Sequence, residues 1–336
     1  MQGAVAEQSW VLGLDGGGSK TALAYISDSG MVVGPFTAPG INPFDRPDWE
    51  DVYRAFLTAH PAPGPLAYAA LGLPGYDESP EVSARQLALS AELLLCPQRV
   101  MNDVEAAFLG AFAGQPGVLL LAGTGSMAWA DDGVRQVRVG GWGEGFGDDG
   151  SAYWIGRRAL GLASQALDGR WPDADFAPQL LTPLLGESPN PANLLTWFYA
   201  QTHMRSAVAS LARTVDTLAE AGQPTARSIL NEAAELLSQH VQAAREQLSS
   251  DQRGESDLPW SYAGSVTGSR TVLEHLTALL GPPSLPALPP LGGALFHAAR
   301  QAGFDTGAEW QRRVCAALLS DSRFQASPSP QLQEHS

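Results

Sequence analysis

The sequence contains one short pattern twice, and this repetition constrains the fold more than any other feature. In each copy an apolar segment, a glycine-rich turn and a second apolar segment follow one another, first over Trp10–Ile26 and again over Val118–Ala130. Short apolar segments bounded by such turns predict β-strands. A repeated unit predicts two related halves, each with a strand–turn–strand core that continues into a third strand as a β-meander. The two turns align Gly16 with Gly123, Gly18 with Gly125 and Ser19 with Ser126.

The two turns, which we call the first glycine turn (residues 16–19) and the second glycine turn (residues 123–126), suit the binding of an anion. Glycine lets backbone N–H groups approach a phosphate, because no Cβ is in the way. Asp15 precedes the first turn and places a carboxylate where Mg²⁺ would lie beside phosphate oxygens. For either turn alone, a glycine-rich hairpin without a ligand is the alternative. The residues expected to hold the polyphosphate of a nucleotide are Gly16, Gly17, Gly18, Ser19, Lys20, Gly123, Thr124, Gly125 and Ser126.

Two common phosphate-binding motifs do not match these turns. A Walker A loop needs glycine directly before Lys-Thr, whereas this chain has Ser19–Lys20–Thr21. The glycine motif of dinucleotide-binding proteins opens a helix, whereas Thr21–Ile26 is short and leads into another turn and another strand. A P-loop nucleotidase and a Rossmann dehydrogenase are therefore both disfavoured.

The rest of the chain predicts a mixed α/β protein. A length of 336 residues corresponds to about two domains. Helical segments flank the apolar strand Leu66–Leu73 between the repeats, and long helical segments predominate after the second repeat. We expect an N-terminal domain over residues 1–115, a larger domain over residues 116–304, a helix at 305–320 that rejoins the first domain, and a disordered polar tail at 325–336.

Composition and charge exclude several classes of function. The chain is 44% hydrophobic and 16% charged, which is typical of a soluble globular protein. Its 20 basic and 35 acidic residues give a net charge of −15, which disfavours nucleic acid and anionic membrane surfaces as partners. Cys96 and Cys315 lack the spacing of a disulfide framework or a metal site, and no export signal or membrane-spanning segment is visible. We therefore expect a cytoplasmic protein.

Five segments together carry a family resemblance: Asp15–Thr21, Asn102–Asp103, Gly123–Ser126, Gly140–Gly143 and Gly147–Gly156. In this order they resemble the N-acetylglucosamine kinases of the BadF/BadG/BcrA/BcrD ATPase family. The resemblance implies an α/β, two-domain actin-like ATPase (ribonuclease H-like) fold, with duplicated β-meander phosphate-binding units and a central nucleotide and sugar cleft. It also implies small-molecule substrates, namely ATP and an amino sugar, with Mg²⁺ as the metal ion.

The chemistry that this resemblance implies is transfer of the γ-phosphoryl group of ATP to the 6-hydroxyl of N-acetylglucosamine. Phosphoryl transfer to a hydroxyl needs a carboxylate that takes the hydroxyl proton. The resemblance assigns this general-base role to Asp103. The alternative for Asp103 is structural, since an Asp that precedes a helix often accepts hydrogen bonds from the first-turn amides of that helix.

The resemblance also implies which residues contact the sugar. Asp148 is expected to accept hydrogen bonds from sugar hydroxyls, and the loop around Trp142 is expected to supply backbone and aromatic contacts. Local alternatives remain, because Asp148 could cap the helix that follows it and Asn42 could be a turn residue before Pro43. The expected sugar-binding residues are Asn42, Asp103, Gly141, Trp142, Gly143 and Asp148.

Two residues bear on which amino sugar is the substrate. Met127 follows the second glycine turn, where vertebrate-type N-acetylglucosamine kinases have an Asn that touches the sugar, and a thioether cannot donate that hydrogen bond. Glu144 lies near Trp142 in the sequence and is compatible with a salt bridge to the ammonium group of free glucosamine, although a solvated loop charge is the simpler interpretation. Glucosamine or another hexosamine is therefore the alternative substrate.

On the nucleotide side, Gly264 and Ser265 follow a short predicted strand and resemble the adenosine-side turn of the family. A rival within the family is the ATPase activator of 2-hydroxyacyl-CoA dehydratases, which needs cysteines that hold an iron–sulfur cluster between subunits. Cys96 and Cys315 lie outside the glycine motifs, which disfavours this rival. Members of the family are often dimers, so a homodimer is compatible with the resemblance, but no interface is visible in the sequence.

Overall fold

The computed structural model describes residues 8–18, 20–187, 189–248 and 258–319, and these residues divide into two compact units. The first unit contains the chain up to Gln115 together with the segment that begins at Leu285, and the second contains Pro116–Ser284. Each unit has its own β-sheet. Ser19 of the first glycine turn and the tail at 325–336 lie outside the described residues.

The first unit begins with a β-meander and then alternates helices with strands. Its elements up to Gln115 are β1 (Trp10–Gly16), β2 (Lys20–Ser27), β3 (Val32–Pro39), α1 (Trp49–Ala59), β4 (Leu66–Leu73), α2 (Pro80–Leu93), β5 (Gln98–Asn102) and α3 (Asp103–Phe112). The strands form a sheet of order β3-β2-β1-β4-β5. The meander β1 to β3 is antiparallel, whereas β1, β4 and β5 run parallel, so the carboxyl ends of these three strands meet at one edge.

The second unit repeats the meander and then adds a helical region. Its elements are β6 (Gly117–Ala122), β7 (Ser126–Asp131), β8 (Gln136–Gly140), α4 (Ala152–Leu167), α5 (Phe176–Leu185), α6 (Pro191–Tyr199), α7 (Met204–Glu220), α8 (Pro224–Leu248), β9 (Trp260–Ala263), a short 3₁₀ helix (Val266–Gly268) and α9 (Arg270–Leu280). The sheet order is β8-β7-β6-β9, and β9 is parallel to β6.

Two further helices, α10 (Pro290–Gln301) and α11 (Ala308–Leu319), belong to the first unit. The sequence analysis placed the chain up to residue 304 in the second domain, and the structure instead groups α10 with the first sheet. The reason is close packing through glycine. A Cβ on Gly293 of α10 would overlap the carbonyl oxygen of Ala106 in α3, and a Cβ on Gly13 of β1 would lie 2.7 Å from the side chain of Leu295.

The first sheet is covered on both faces, because successive side chains of a strand alternate between them. Val11 of β1 packs with apolar residues of α10 and α11, whereas Leu12 and Leu14 pack with residues of α1. The second unit has one large apolar cluster that joins its sheet to α4, α5, α7, α8 and α9. Within the described residues, no helix combines the length and apolar character needed to cross a bilayer.

The repeated sequence pattern corresponds to a repeated structure. In the first copy Gly16 pairs with Thr21 across the turn, and in the second copy Ala122 pairs with Ser126. The predicted α/β class and both predicted β-meanders are therefore confirmed. The two glycine turns occupy the same position in the two meanders, between the first and second strands of each.

Candidate active site

The first glycine turn joins β1 to β2 and is held by the segment that follows β3. The backbone N–H of Ile41 donates a hydrogen bond to the carbonyl oxygen of Gly17 at 3.1 Å. A Cβ on Gly40 would overlap the carbonyl oxygen of Gly18, so only glycine lets the two segments pass this close. Both contacts engage carbonyl oxygens of the turn and not its N–H groups, which are the groups that a phosphate would use.

Two carboxylates, Asp15 and Asp103, lie at the carboxyl ends of two parallel strands, β1 and β5, which flank β4 in the sheet of the first unit. Asp15 is the next-to-last residue of β1, and Asp103 directly follows β5. Burial and the Asp103 carboxylate together raise the pKa of Asp15 to about 7, against the opposing effect of the Lys20 ammonium. The two acidic residues lie on either side of Gly72, which is the register partner of Asp15 and whose added Cβ would be 3.5 Å from the Cα of Asp103.

This pair of carboxylates fits Mg²⁺. The ion prefers oxygen ligands and is commonly held by one or two carboxylates together with substrate phosphates. A cation beside Asp15 would offset the repulsion from Asp103 that contributes to the raised pKa of Asp15. Within the described residues, no group of three or more His, Cys, Asp or Glu side chains is arranged to hold a metal ion.

Asn102, and not Asp103, is the N-cap of α3. The Asn102 side-chain oxygen accepts a hydrogen bond from the N–H of Val104 at 2.9 Å, and its amide group donates to the carbonyl oxygen of Tyr76 at 2.8 Å. The Asp103 carboxylate also accepts from the N–H of Val104, at 3.0 Å. The N-cap role proposed as the alternative for Asp103 thus falls on its neighbour. Asp103 occupies the first helical position, where the helix dipole favours a carboxylate.

Asn42 is engaged in the local turn that precedes α1. Its side-chain oxygen accepts a hydrogen bond from the N–H of Phe44 at 3.1 Å, and its amide group donates to the Asp45 carboxylate at 2.6 Å. Asp45 lies close to the first glycine turn, since a Cβ on Gly18 would be 3.6 Å from its carboxylate oxygen. The structure therefore gives Asn42 the role of a turn residue near the first glycine turn, and its contact with a sugar stays a prediction.

The second glycine turn is bonded to the start of α4 and to Asp148. The N–H of Ala152 donates to the carbonyl oxygen of Gly123 at 2.8 Å, and the N–H of Ser126 donates to the Asp148 carboxylate at 3.2 Å. Asp148 is only 3% exposed, and its φ of 58° lies in the left-handed region, where Asp is tolerated better than most residues. Ser151, and not Asp148, caps α4 through its hydroxyl oxygen.

Arg205, the second residue of α7, forms ion pairs with two carboxylates. Its guanidinium lies 2.7 Å from an oxygen of Asp148 and 3.3 Å from an oxygen of Glu144. The ion pair with Asp148 lies directly against the second glycine turn, because a Cβ on Gly125 would be 2.6 Å from Oδ1 of Asp148, the oxygen that does not pair with Arg205, and 2.9 Å from the Arg205 nitrogen that forms the pair. The sequence analysis missed Arg205, which is 57 residues from Asp148 and belongs to none of the recognised motifs.

The loop that carries Trp142, which we call the tryptophan loop (Gly140–Gly147), is anchored on the second glycine turn. The N–H of Gly141 donates to the carbonyl oxygen of Ser126 at 3.0 Å. Gly140, Gly141 and Gly143 all have positive φ values, between 73° and 80°, which residues with a Cβ rarely adopt. The indole of Trp142 is 70% exposed. The loop therefore presents an aromatic surface to solvent close to the second glycine turn.

The turn after β9 also lies against the second glycine turn. Gly264 has a φ of 102°, and a Cβ there would be 2.9 Å from the backbone nitrogen of Gly123 and would overlap the carbonyl oxygen of Ala122. Ser265 caps the short 3₁₀ helix, and its carbonyl oxygen accepts from the N–H of Gly268 at 3.3 Å. Glycine at position 264 is thus required for the close approach of the two turns.

The site residues predicted from the sequence are divided between the two units. The first unit brings together Asp15, Gly16, Gly17, Gly18, Lys20, Asn42 and Asp103, and the second brings together Gly123, Thr124, Gly125, Ser126, Gly141, Trp142, Gly143, Asp148, Gly264 and Ser265. Asn102 and Asp45 join the first group without having been predicted as site residues. A sequence signal existed for Asn102, since Asn is among the preferred N-cap residues.

The chain is similar in sequence to known sugar kinases. A model of the BadF/BadG/BcrA/BcrD ATPase family matches residues 12–285. An N-acetylmuramic acid/N-acetylglucosamine kinase from Clostridium acetobutylicum is 29% identical over 255 residues, which are 71% of this chain and 80% of the relative. An N-acetyl-D-glucosamine kinase from Dictyostelium discoideum is 25% identical over 288 residues, which are 79% of this chain and 88% of the relative.

Solved structures show a similar fold. The crystal structure of a candidate N-acetylglucosamine kinase from Chromobacterium violaceum matches with a TM-score of 0.67 and 25% identity, and the match covers 86% of this chain and 98% of that one. A glucokinase of the ROK family from Streptomyces griseus, in complex with glucose and AMPPNP, matches with a TM-score of 0.53 and covers 87% of this chain and 98% of that one. At 16% identity, this second likeness concerns the fold alone.

Proposed function

Because the chain belongs to the BadF/BadG/BcrA/BcrD ATPase family, we propose that it is an ATP-dependent amino-sugar kinase that phosphorylates the 6-hydroxyl of N-acetylglucosamine. The predicted family is confirmed by the match over residues 12–285, and the predicted actin-like fold by the two sheets and the similar solved structures. The relatives from Clostridium acetobutylicum and Dictyostelium discoideum are both named as kinases of N-acetylglucosamine, which supports an amino sugar as the acceptor.

The observation that carries the proposal is the pair of carboxylates beside the first glycine turn. Asp15 and Asp103 lie at the carboxyl ends of β1 and β5, on either side of Gly72 in β4: Asp15 is the register partner of Gly72, and a Cβ on Gly72 would be 3.5 Å from the Cα of Asp103. Phosphoryl transfer to a hydroxyl requires N–H groups for the phosphates, a carboxylate for the metal ion and a carboxylate for the proton. We assign all three roles to this edge of the first unit.

In the proposed reaction, Asp103 accepts the proton of the sugar 6-hydroxyl while the hydroxyl oxygen forms a bond to the γ-phosphorus of ATP. The bond between that phosphorus and the bridging oxygen breaks, and ADP leaves with the electron pair. Backbone N–H groups of the glycine turns bind the phosphate oxygens. Asp15 would hold Mg²⁺, which offsets the negative charge of the phosphates when it is bound.

We assign the sugar to the tryptophan loop and Asp148, and the adenosine to Gly264 and Ser265. The Asp148 carboxylate already accepts the N–H of Ser126 and pairs with Arg205. Its two oxygens have about four lone-pair sites, so these partners leave acceptor capacity on a side chain that is 3% exposed. The exposed indole of Trp142 offers an apolar face for the sugar ring.

We favour an N-acetylated sugar over free glucosamine as the acceptor. Glu144 was the residue considered for the ammonium group of glucosamine, and its carboxylate is paired with Arg205 at 3.3 Å. A carboxylate that already has a cationic partner attracts a second cation less strongly. Met127 is 7% exposed, so its side chain offers little surface to either sugar. We place the reaction in the cytoplasm, where ATP is available, and the free thiols of Cys96 and Cys315 are compatible with a reducing compartment.

The test is an ATP-consumption assay with Mg²⁺ over a panel of acceptors: N-acetylglucosamine, glucosamine, N-acetylmannosamine, N-acetylmuramic acid and glucose. We expect the highest kcat/KM with N-acetylglucosamine, with one ADP released per sugar phosphate formed. ATP consumption that none of these sugars accelerates would contradict the proposal. A highest kcat/KM with glucosamine would correct the acceptor and restore a role for Glu144 in binding ammonium.

The role of Asp103 is tested by Asp103→Asn. The variant removes the proton acceptor and keeps the size of the side chain, so we expect kcat to fall by about 10²–10⁴-fold and the affinity for a non-hydrolysable ATP analogue to stay within about twofold. The matched control is Asp51→Asn, which changes an exposed carboxylate in the first turn of α1 and should keep the wild-type kcat. Wild-type turnover by Asp103→Asn would refute the base assignment.

A further inference from the structure

Arg205 of the second unit pairs with two carboxylates, Glu144 and Asp148, and the proposed kinase reaction leaves it without a role. Resting on that proposed function, we propose that Arg205 is a positioning residue that couples occupancy of the tryptophan loop by sugar to the geometry of the second glycine turn. Sugar and nucleotide would then strengthen each other's binding through this one side chain.

The first link joins Arg205 to the second glycine turn. Its guanidinium is 2.7 Å from an oxygen of Asp148, and the other Asp148 oxygen accepts the N–H of Ser126 at 3.2 Å. Asp148 is 3% exposed, so water competes little for either interaction. The turn has no spare room at this point, because Gly125 packs against both members of the ion pair. A shift of the guanidinium would therefore shift the backbone at Gly125 and Ser126.

The second link joins Arg205 to the tryptophan loop. Glu144 lies in that loop, and its carboxylate is 3.3 Å from the Nε of Arg205. The Glu144 side chain is 47% exposed, whereas the Asp148 side chain is 3% exposed. One guanidinium thus connects a carboxylate at the surface, that of Glu144, to the buried Asp148 carboxylate, which is hydrogen-bonded to the second glycine turn. A sugar that orders the tryptophan loop would also order this connection.

The third observation is that the helix carrying Arg205 is closely packed. Arg205 is the second residue of α7, which packs so closely on α4 that a Cβ on Gly156 would overlap the carbonyl oxygen of Val208. The helix α4 in turn begins at Ala152, whose N–H donates to the carbonyl oxygen of Gly123. The helix that carries Arg205 therefore packs directly on α4, and α4 is hydrogen-bonded to the second glycine turn, whereas Glu144 is exposed and within reach of a ligand.

Coupling of this kind has a thermodynamic signature. If sugar raises the affinity for nucleotide by a given factor, nucleotide raises the affinity for sugar by the same factor. We expect the wild-type protein to bind AMPPNP with Mg²⁺ about fivefold or more tightly when N-acetylglucosamine is saturating. Arg205→Gln removes the charge that links the two carboxylates, so the factor should fall to about one.

The experiment is calorimetric titration of AMPPNP with Mg²⁺, with and without N-acetylglucosamine, on the full chain. The variants are Arg205→Gln, Arg205→Lys and Glu144→Gln. Lysine keeps the charge and loses the planar guanidinium that meets two carboxylates at once, so Arg205→Lys should retain only part of the factor. Glu144→Gln breaks the surface link alone and should lower the factor without weakening AMPPNP binding in the absence of sugar. The matched control is Arg213→Gln, an exposed arginine on the same helix, which should keep the wild-type factor.

The possible outcomes separate this inference from the proposed function. If the wild-type protein binds neither AMPPNP nor N-acetylglucosamine, the proposed function fails. If it binds both without mutual strengthening, or if a folded Arg205→Gln or Glu144→Gln variant keeps the wild-type factor, the role of Arg205 is refuted. A loss of the factor in Arg205→Gln and Glu144→Gln, with the wild-type value in Arg213→Gln, supports it. Glu144 is exposed, so its variant keeps the test decisive even if Arg205→Gln does not fold.

Discussion

Two adjacent residues at the end of β5 have different roles: Asn102 is the structural N-cap of α3, and Asp103 is the proposed general base. Asn102 is 7% exposed and uses both ends of its amide, since its oxygen caps α3 at Val104 and its nitrogen binds the carbonyl oxygen of Tyr76. Asp103 is thereby held as the first residue of the helix, with its carboxylate near Asp15. The position of the proposed base thus depends on the hydrogen bonds of its neighbour.

This dependence predicts the effect of Asn102→Ala. Loss of the N-cap and of the bond to Tyr76 should lower the free energy of unfolding by about 2 kcal/mol. It should also lower kcat, because the start of α3 carries Asp103. Urea denaturation and steady-state kinetics measure the two effects.

Asn190→Ala is the matched control for this prediction. Asn190 is also an N-cap, of α6, and its side-chain oxygen accepts from the N–H of Asn193 at 3.0 Å. We expect its replacement to cost about 1 kcal/mol of stability and to leave kcat unchanged. Equal losses of kcat in the two variants would contradict the positioning role of Asn102.

At the scale of elements, the packing of the first unit depends on α10, a helix that follows the whole second unit in the sequence. In α10, Gly293 meets Ala106 and Gly110 of α3, and Leu295 meets Gly13 of β1. Backbones that approach this closely leave no room for a methyl group, and cores respond to such overpacking with shifts of whole elements. The helix that carries Asp103 is therefore held in place by the glycines of this crossing.

A pair of glycine substitutions tests this crossing. Gly293→Ala should destabilise the protein by about 3 kcal/mol, because the new methyl group overlaps the carbonyl oxygen of Ala106. Gly161→Ala in α4 has nothing within 4 Å of the added Cβ and should stabilise the protein by about 0.5–1 kcal/mol, as alanine does in helices. Thermal unfolding distinguishes the two signs. A stabilising Gly293→Ala would show that α3 and α10 are not packed as described.

At the scale of the whole molecule, local sequence patterns predicted the strands and turns correctly. They did not predict which segments far apart in the sequence contact each other. The two β-meanders follow from apolar segments and glycine turns that are adjacent in the sequence, so periodicity was sufficient to find them. The apolar pattern of α10 shows that it is a helix with a buried face, but not which sheet it covers. The ion pair between Arg205 and Asp148 joins residues 57 positions apart. An Arg and an Asp at that spacing do not form a sequence pattern that predicts a contact.

The stability of the whole molecule should also depend on one histidine of α10. The ring of His297 packs edge-on against Tyr68, with ring centroids 6.1 Å apart, and its Nε2 is buried without a hydrogen-bond partner among the described residues. Burial, together with the positive charges of Arg99 and Arg300, lowers the pKa of His297 to about 4. The folded protein therefore favours the neutral ring.

The sign of the resulting pH dependence follows from proton binding. The unfolded chain takes up a proton at His297 near pH 6.5, whereas the folded protein does so only near pH 4. Between these values the unfolded state binds more protons, so the free energy of unfolding falls as the pH falls through this window. This contribution is absent from the variant His297→Leu.

We expect the stability of wild type relative to His297→Leu to drop by about 2 kcal/mol between about pH 7 and about pH 4. The drop is less than the full pKa difference would give, because the ring is partly exposed. Urea denaturation at several pH values measures it, with His203→Gln as a control that removes an exposed histidine. A wild-type to His297→Leu difference that is the same at both ends of the window would show that His297 is not the group responsible.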